Sequence, residues 1–384
     1  MFVLLLIIFI DLVGFGIILP ILPFYAQAYD ASAVQITLLV SVHSGAQIIS
    51  SLVWGRLSDR HGRKIILLLT LSGGACAFVW FGFAGSLTAL FLARGLSGVM
   101  AGNLAVAQAY LADISTPEER AGAMGRLGGA FGLGFVVGPA LGALLIGADP
   151  GPADFALPCL VAAAISMAAV PLGFFLLREP DKKPARSRTA NLAQLRAAVL
   201  GNGIPRIISL NLLLTLSFTA LMALLPLWCQ ARLGWGAREV SFAYVYIGLL
   251  VAFLQGVTVG PLTRSLGPAR LLLIGAVSLS VSLLSVALVD GIAGFAVIAL
   301  LFCLGTSFCH PTLTAMLSQR AADEHQGTVM GAANSVAAMG RIAAPPVGGL
   351  LFVQAGPNWP MLMAGLIMLP VVTAAALMSV RRSP

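Results

Sequence analysis

Gly55-Arg56-Leu57-Ser58-Asp59-Arg60-His61-Gly62-Arg63-Lys64 is a short charged stretch set between two apolar ones, 34–54 and 65–84. Each flank is about 20 residues long, the length a helix needs to cross the hydrocarbon core of a bilayer. The stretch therefore reads as a tight connection between two membrane spans. Gly55 and Gly62 allow the reversal, and Arg60, Arg63 and Lys64 hold it at an anionic inner surface. The same window finds ten further spans, at 2–24, 86–112, 122–147, 153–177, 206–231, 238–260, 270–289, 292–317, 327–353 and 358–380. Of the 384 residues 59% are hydrophobic and only 9% charged, against roughly 25% charged in a soluble domain. A water-soluble globular fold is excluded. The expectation is an all-α integral membrane protein with twelve transmembrane helices in two pseudo-symmetric six-helix bundles.

The net charge of +8 does not mark a nucleic-acid surface, because the basic residues form no stripe or patch. They sort instead by side of the membrane. With the N-terminus inside, the inner loops and tail hold Arg56, Arg60, Arg63, Lys64, Arg120, Arg264, Arg270, Arg320, Arg381 and Arg382. The outer loops hold Arg232 and Arg238. Lys/Arg bias in short loops sets topology, so both termini are expected in the cytoplasm. The first span has no charged leader and contains Asp11, Pro20 and Pro23, so it is read as a true span and not a signal peptide. The Arg-over-Lys and Ala/Gly bias points to a bacterial inner membrane. The five Cys residues make no CxxC pair, which suggests neither a disulfide framework nor a metal site. No cofactor is expected. The expected partners are a small-molecule substrate, protons and membrane lipids, with no nucleic acid, and the protein is expected to be a monomer.

Residues 178–205 are polar, basic and Pro-containing. They divide the chain into bundles at 1–177 and 206–384 and read as a cytoplasmic linker. Within it 190–200 suits an amphipathic helix on the inner membrane surface, a plain solvated tether being the alternative. The halves echo one another. Gly55-to-Gly62 has a worn counterpart in Gly260-Pro-Leu-Thr-Arg-Ser-Leu-Gly267, and Gly138-Pro139-Ala-Leu-Gly142 in Ala344-Pro345-Pro-Val-Gly348. Both pairs lie about 205 residues apart, as expected of parallel repeats around a substrate site.

These residues resemble the major facilitator superfamily, and within it the twelve-helix drug:proton antiporters that include the tetracycline efflux proteins. Gly55-to-Lys64 is similar to the superfamily's signature between helices 2 and 3. Arg94-Gly-Leu-Ser-Gly98 is similar to its arginine motif on helix 4, and Gly134-Phe-Val-Val-Gly138-Pro139-Ala-Leu-Gly142 to its antiporter motif on helix 5. Asp11-Leu-Val-Gly14-Phe-Gly16-Ile-Ile-Leu-Pro20-Ile-Leu-Pro23 resembles helix 1 of the drug antiporters. The resemblance implies proton-coupled export by antiport, with Arg94 tuning an acid on helix 1 and Asp59 latching onto the start of helix 11 near Gly327. The tetracycline exporters carry acidic and histidine positions in the second half. Here the eighth and ninth spans carry no ionisable mid-span residue, so the resemblance does not fix tetracycline as substrate.

Asp11 lies about nine residues, hence ~14 Å, into the first span. A carboxylate at that depth is expensive and commonly marks an ion or proton path; a structural hydrogen bond to a neighbouring helix is the alternative. Arg94 lies ~12 Å deep in the fourth span and is its expected partner. It heads a stripe with Gly98, Ala101, Ala105 and Gln108. His43 and Gln47 are four apart on the second span, where His43 suits a proton relay or a substrate contact, packing serves equally well, and Gln47 is a substrate candidate. In the second half Arg341 shares a face with Asn334 and Ala338. No Asp or Glu lies mid-span there, so a substrate carboxylate or a contact between halves would have to answer the charge. His310, beside Pro311, is a weaker substrate candidate. Asn211, Thr215, Phe218 and Met222, with Tyr244, Gly248 and Gln255, form mixed aromatic, Met and polar stripes suited to an amphiphilic ligand. Gly134, Gly138 and Gly142 recur every four residues around Pro139, giving a groove for close helix contact; sealing a cavity and simple packing explain them alike. Gly55, Asp59, Arg60, Gly62 and Arg63 complete the gating candidates.

The function expected is secondary active transport, exporting an amphipathic organic compound or drug in exchange for protons. No GxxxxGK[ST] motif is present to bind ATP, and neither HExxH nor GxSxG suggests an embedded enzyme. An organic-anion carrier using Arg94 and Arg341, or a lipid flippase, stands as the alternative.

Overall fold

In hydrocarbon every backbone N–H and C=O must be satisfied within the protein, and a helix does this within one segment. The apolar stretches accordingly fold as helices. The computed structural model describes residues 1–116, 119–147, 150–180, 199–322 and 325–380, with no strand among them. The helices are α1 (Phe2–Gln27), α2 (Ala33–His61), α3 (Arg63–Gly82), α4 (Leu87–Met100), α5 (Asn103–Ile114), α6 (Arg120–Leu145) and α7 (Ala156–Leu176). The second half adds α8 (Ile204–Leu233), α9 (Ala237–Phe253), α10 (Val259–Leu284), α11 (Gly291–Arg320), α12 (Gln326–Ala355) and α13 (Trp359–Val380).

Eleven stretches among the described residues are long and apolar enough to cross a membrane, where twelve are expected. The difference lies in Ala237–Leu288, which runs 52 residues. At ~1.5 Å per residue it is ~78 Å long, more than twice a ~30 Å hydrocarbon core. Non-helical Gly267 (φ 78°, ψ 160°) divides it, giving the eighth and ninth spans. The fourth span, Leu87–Ile114, holds α4 and α5 in succession, separated by a turn at Ala101–Gly102.

The repeat is visible in the backbone. Gly62 (φ 104°) and Gly267 (φ 78°) are both left-handed, and each breaks the chain between two successive spans. A side chain disfavours that conformation by about 1–2 kcal/mol. The charged stretch differs from its expected form in one respect. α2 runs through Gly55 to His61, so Gly62 alone makes the reversal.

Two compact units are present, Met1–Ala185 with Gly234–Leu249, and Arg186–Leu233 with Leu250–Pro384. The amphipathic helix expected over 190–200 lies, except for helical residues 199 and 200, outside the described residues. In the first unit α1 packs on α6 and α7, α3 on α7 and α4, and α2 on α4. A Cβ placed on Gly138 would stand 2.6 Å from the Gly16 Cα, and one on Gly134 2.6 Å from the Leu12 Cβ. The antiporter-like glycines are therefore where α6 lies directly on α1. In the second unit α10 packs on α11 and α13, and α8 on α12 and α13. Serine hydroxyls bridge helices there: Ser217 donates to the Ala364 carbonyl (2.9 Å), Ser280 to Gly365 (3.1 Å) and Ser282 to Ile298 (2.7 Å).

Candidate functional site

The turn at Ala101–Gly102 organises the first unit's polar centre. It interrupts the helical ladder of the fourth span, and the carbonyls around it take side-chain donors from α2 instead. Trp54 Nε1 donates to Val99 O (2.7 Å), Gln47 Nε2 to Ala101 O (3.2 Å) and Ser50 Oγ to Gly98 O (3.4 Å). Gly98 and Gly102 allow the approach: a Cβ on either would meet His43 O or Ser50 Oγ at 2.5 Å. Gln47, expected to meet substrate, here commits its amide to the turn.

Just beyond the turn, Asn103 opens α5, and its Nδ2 donates to Asp11 Oδ2 at 3.2 Å. The carboxylate thus sits by the end of α5 that carries partial positive charge. Gly74 of α3 leaves room on the other side, a Cβ there falling 3.9 Å from Asp11 Oδ1. Asp11 and Arg94 form no ion pair in this structure; the acid's polar partner is Asn103.

Arg94 occupies a second niche, one helical turn along α1. It is 1% exposed, and its guanidinium carbon lies 5.4 Å from the centre of the Phe15 ring. A desolvated cation over an aromatic face gains roughly 2 kcal/mol. Phe15 in turn packs against His43 (5.3 Å, 33°) and edge-on against Phe135 of α6 (5.9 Å, 74°). Arg94 Nε and Nη1 and His43 Nδ1 are buried with no hydrogen-bond partner in the protein. A buried charge is costly without full pairing, so this niche is primed to accept an oxygen or nitrogen acceptor from elsewhere.

Arg63 ties together neighbouring ends of three helices. Its guanidinium pairs with Asp59 (2.6 Å) and Asp113 (3.1 Å) and donates to Ser58 Oγ (2.6 Å). The α3 N-terminus is capped by Glu179, whose two carboxylate oxygens accept from the Arg63 and Lys64 N–H groups (2.5 and 2.9 Å). Lys64, in sequence a mere topology signal, donates to the Phe174 carbonyl (2.6 Å). Asp59 and Arg60 are exposed.

In the second unit Phe218 stacks on Phe302 (5.8 Å, 13°) and meets His310 edge-on (5.7 Å, 89°). Phe218, Phe302 and His310 are therefore one cluster, and Arg341 of α12 is half-buried. Thr215 donates back to the Asn211 carbonyl (2.7 Å) along α8. Met222 is half-buried, Asn334 and Gln108 are exposed and Tyr244 is buried. Gln255 lies in a π-helical turn, Leu254–Thr258, a form of helix often found at functional sites. A Cβ on Gly248 would meet Val136 Cγ2 at 2.8 Å. Among the described residues no three His, Cys, Asp or Glu side chains gather as metal ligands would.

Asn103, Phe15, Phe135 and Glu179 join these sites without having stood out in the sequence. Asn103 carries a signal all the same, a polar residue directly after glycine inside an apolar window. Phe15 carries one too, lying four residues past Asp11 and so on the same face.

The profile of the Major Facilitator Superfamily matches residues 4–345 and 304–384. The chain is 29% identical to a class C tetracycline resistance protein of Escherichia coli over 359 residues, 91% of this chain and 89% of that protein. It is 27% identical to multidrug resistance protein 2 of Bacillus subtilis (strain 168) over 376 residues, 94% of this chain and 90% of that one. Among solved structures, the nucleoside transporter NupG superposes with a TM-score of 0.81 at 12% identity, covering 98% of this chain and 99% of that one.

Proposed function

We propose, for a chain that belongs to the Major Facilitator Superfamily and is a multi-pass membrane transporter rather than an enzyme, that it exports an amphipathic organic compound in exchange for protons. The observation that carries this reading is the Asp11 carboxylate, half-way through the first span, held by Asn103 where the fourth span turns. An acid so placed takes and gives a proton as access alternates between the two sides. Arg94 and His43, stacked about Phe15 one turn away, respond to that change. Phe218 and His310, packed together, face substrate in the second half, and Arg341 supplies the charge there. The relatives named for tetracycline and multidrug resistance support an amphipathic drug-like cargo. The gating elements are Asp59 at the end of α2 with Arg63 at the start of α3, and the glycine contact of α6. The protein works as a monomer in a bacterial inner membrane, with its bundles at 1–177 and 206–384 joined by a cytoplasmic linker.

The test is flux in proteoliposomes with an imposed pH gradient, using tetracycline and ethidium as probes. Asp11→Asn should fold, since it keeps a partner for Asn103, and should lose pH-driven accumulation while retaining exchange down a probe gradient. If the variant still concentrates either probe with protons as the sole driving force, Asp11 is not the carrier.

A further inference from the structure

Four helix ends converge at one side of the second unit: the start of α8, the start of the 268–284 segment, the end of α11 and the end of α13. They enclose a crevice of about 210 Å³. Arg206 and Arg320 line it, together with Pro268, Met316, Leu377 and Met378. Arg320 Nη1 also reaches the Gly203 carbonyl (3.5 Å), which fixes its guanidinium at the mouth. Gly203 itself is left-handed (φ 69°), and a Cβ there would stand 2.9 Å from that nitrogen.

The charge of this end is unbalanced. Among described residues 199–322 and 325–380 the acids are Glu239 and Asp290. Glu239 accepts from the Gly236 N–H (2.9 Å) at the start of α9, and Asp290 faces Arg232 (3.9 Å) at the end of α8. Both therefore sit at the opposite ends of their spans. No described carboxylate pairs with Arg206 or Arg320. Arg264 and Arg270 lie at the same end, near the Gly267 break, and add to the same sign.

Of the lining residues Leu377 is 59% exposed, and Val380, three residues further along α13, is 73% exposed. Two guanidinium groups over a methionine and leucine wall, opening onto exposed aliphatic side chains at a helix-end level, combine phosphate and acyl-chain recognition. Guanidinium binds phosphate oxygens in bidentate fashion, and basic pockets between spans on the cytoplasmic side suit lipid headgroups. A soluble anion would gain nothing from the aliphatic rim. We propose that this crevice is a binding site for an anionic phospholipid of the inner leaflet, its phosphate and glycerol seated between Arg206 and Arg320 and its acyl chains along the end of α13. The volume admits the headgroup and excludes the chains, which stay in the bilayer.

Native mass spectrometry of the full chain in detergent tests this, with dioleoyl-phosphatidylglycerol against dioleoyl-phosphatidylcholine as the probes. Phosphatidylglycerol should bind about 10- to 30-fold more tightly, from roughly 1 kcal/mol for each arginine. Arg206→Gln/Arg320→Gln should bring it down to the phosphatidylcholine level, and Arg206→Lys/Arg320→Lys should keep an intermediate preference. Leu377→Glu, which leaves both arginines in place, should also abolish the preference. Arg56→Gln/Arg126→Gln removes as much charge from exposed positions of the first unit and should leave it intact. Equal binding of the two lipids overturns the site, as does equal loss in the Arg56/Arg126 variant. Displacement of the lipid by glycerol 3-phosphate at equal concentration would show a soluble-anion site and overturn the lipid assignment.

Discussion

At the residue just before α3 two requirements meet in one atom's worth of space. Gly62 must adopt φ 104°, and a Cβ on it would stand 2.9 Å from the Glu179 carboxylate that caps the helix. Gly62→Ala should cost about 1–2 kcal/mol from the backbone and displace the cap as well. Glu179→Ala should cost about 1 kcal/mol, with Glu179→Gln between it and the parent. Thermal unfolding in detergent measures all three. Because both changes strike the same cap, Gly62→Ala should cost less in the Glu179→Ala background, and strictly additive losses would refute the shared role. The acid and the buried arginine are legible in the amino-acid sequence alone. Asp11 and Arg94 are ionisable residues in apolar windows, and counting residues gives their depth. Their neighbours are not legible there. Whether Asp11 meets Arg94 or Asn103 depends on where α5 begins relative to α1, which no pattern within either span encodes.

Helix pairs show the same division. The four-residue spacing of Gly134, Gly138 and Gly142 declares a groove, and the structure supplies its occupant, the Leu12–Ile17 stretch of α1. Backbone atoms form the contact, so no rotamer change relieves an added side chain. Gly138→Val should separate α1 from α6 and cost on the order of 2 kcal/mol. It should also disturb Phe15 against Phe135, and with it the seat of Arg94. Gly128→Val on the same helix has open space around its Cβ position and should be near neutral. Comparing the yield of monodisperse protein and the unfolding temperature of the two variants checks this; similar losses would mean that helix propensity, not contact, governs α6. In sequence the fourth span reads as one continuous helix, because Ala101 and Gly102 interrupt neither length nor hydropathy. Its turn is stabilised by donors on another helix, a tertiary cause invisible to a window.

For the whole chain, the span pattern is the most legible feature, since hydrocarbon thickness imposes one length on every crossing. The eighth and ninth spans run together in the fold, yet Gly267 separates them where the charge and glycine pattern does. Orientation rests on the loop charges and predicts that cysteines at Ala185→Cys and Pro150→Cys, in a Cys76→Ser background, differ in access. An impermeant maleimide added to intact cells should label position 150 and spare 185, and the reverse pattern would invert the topology. The turn at Ala101–Gly102 bears on how such a chain is made. Carbonyls bared in hydrocarbon cost several kcal/mol each, and here Trp54, Gln47 and Ser50 of α2 answer them. A ribosome delivers the second span before the fourth, so the donors are already embedded when the acceptors arrive. Swapped in order, the fourth span would enter the membrane bare and wait. The succession of segments during synthesis is thus written into the finished fold, as a debt that the earlier helix is in place to settle.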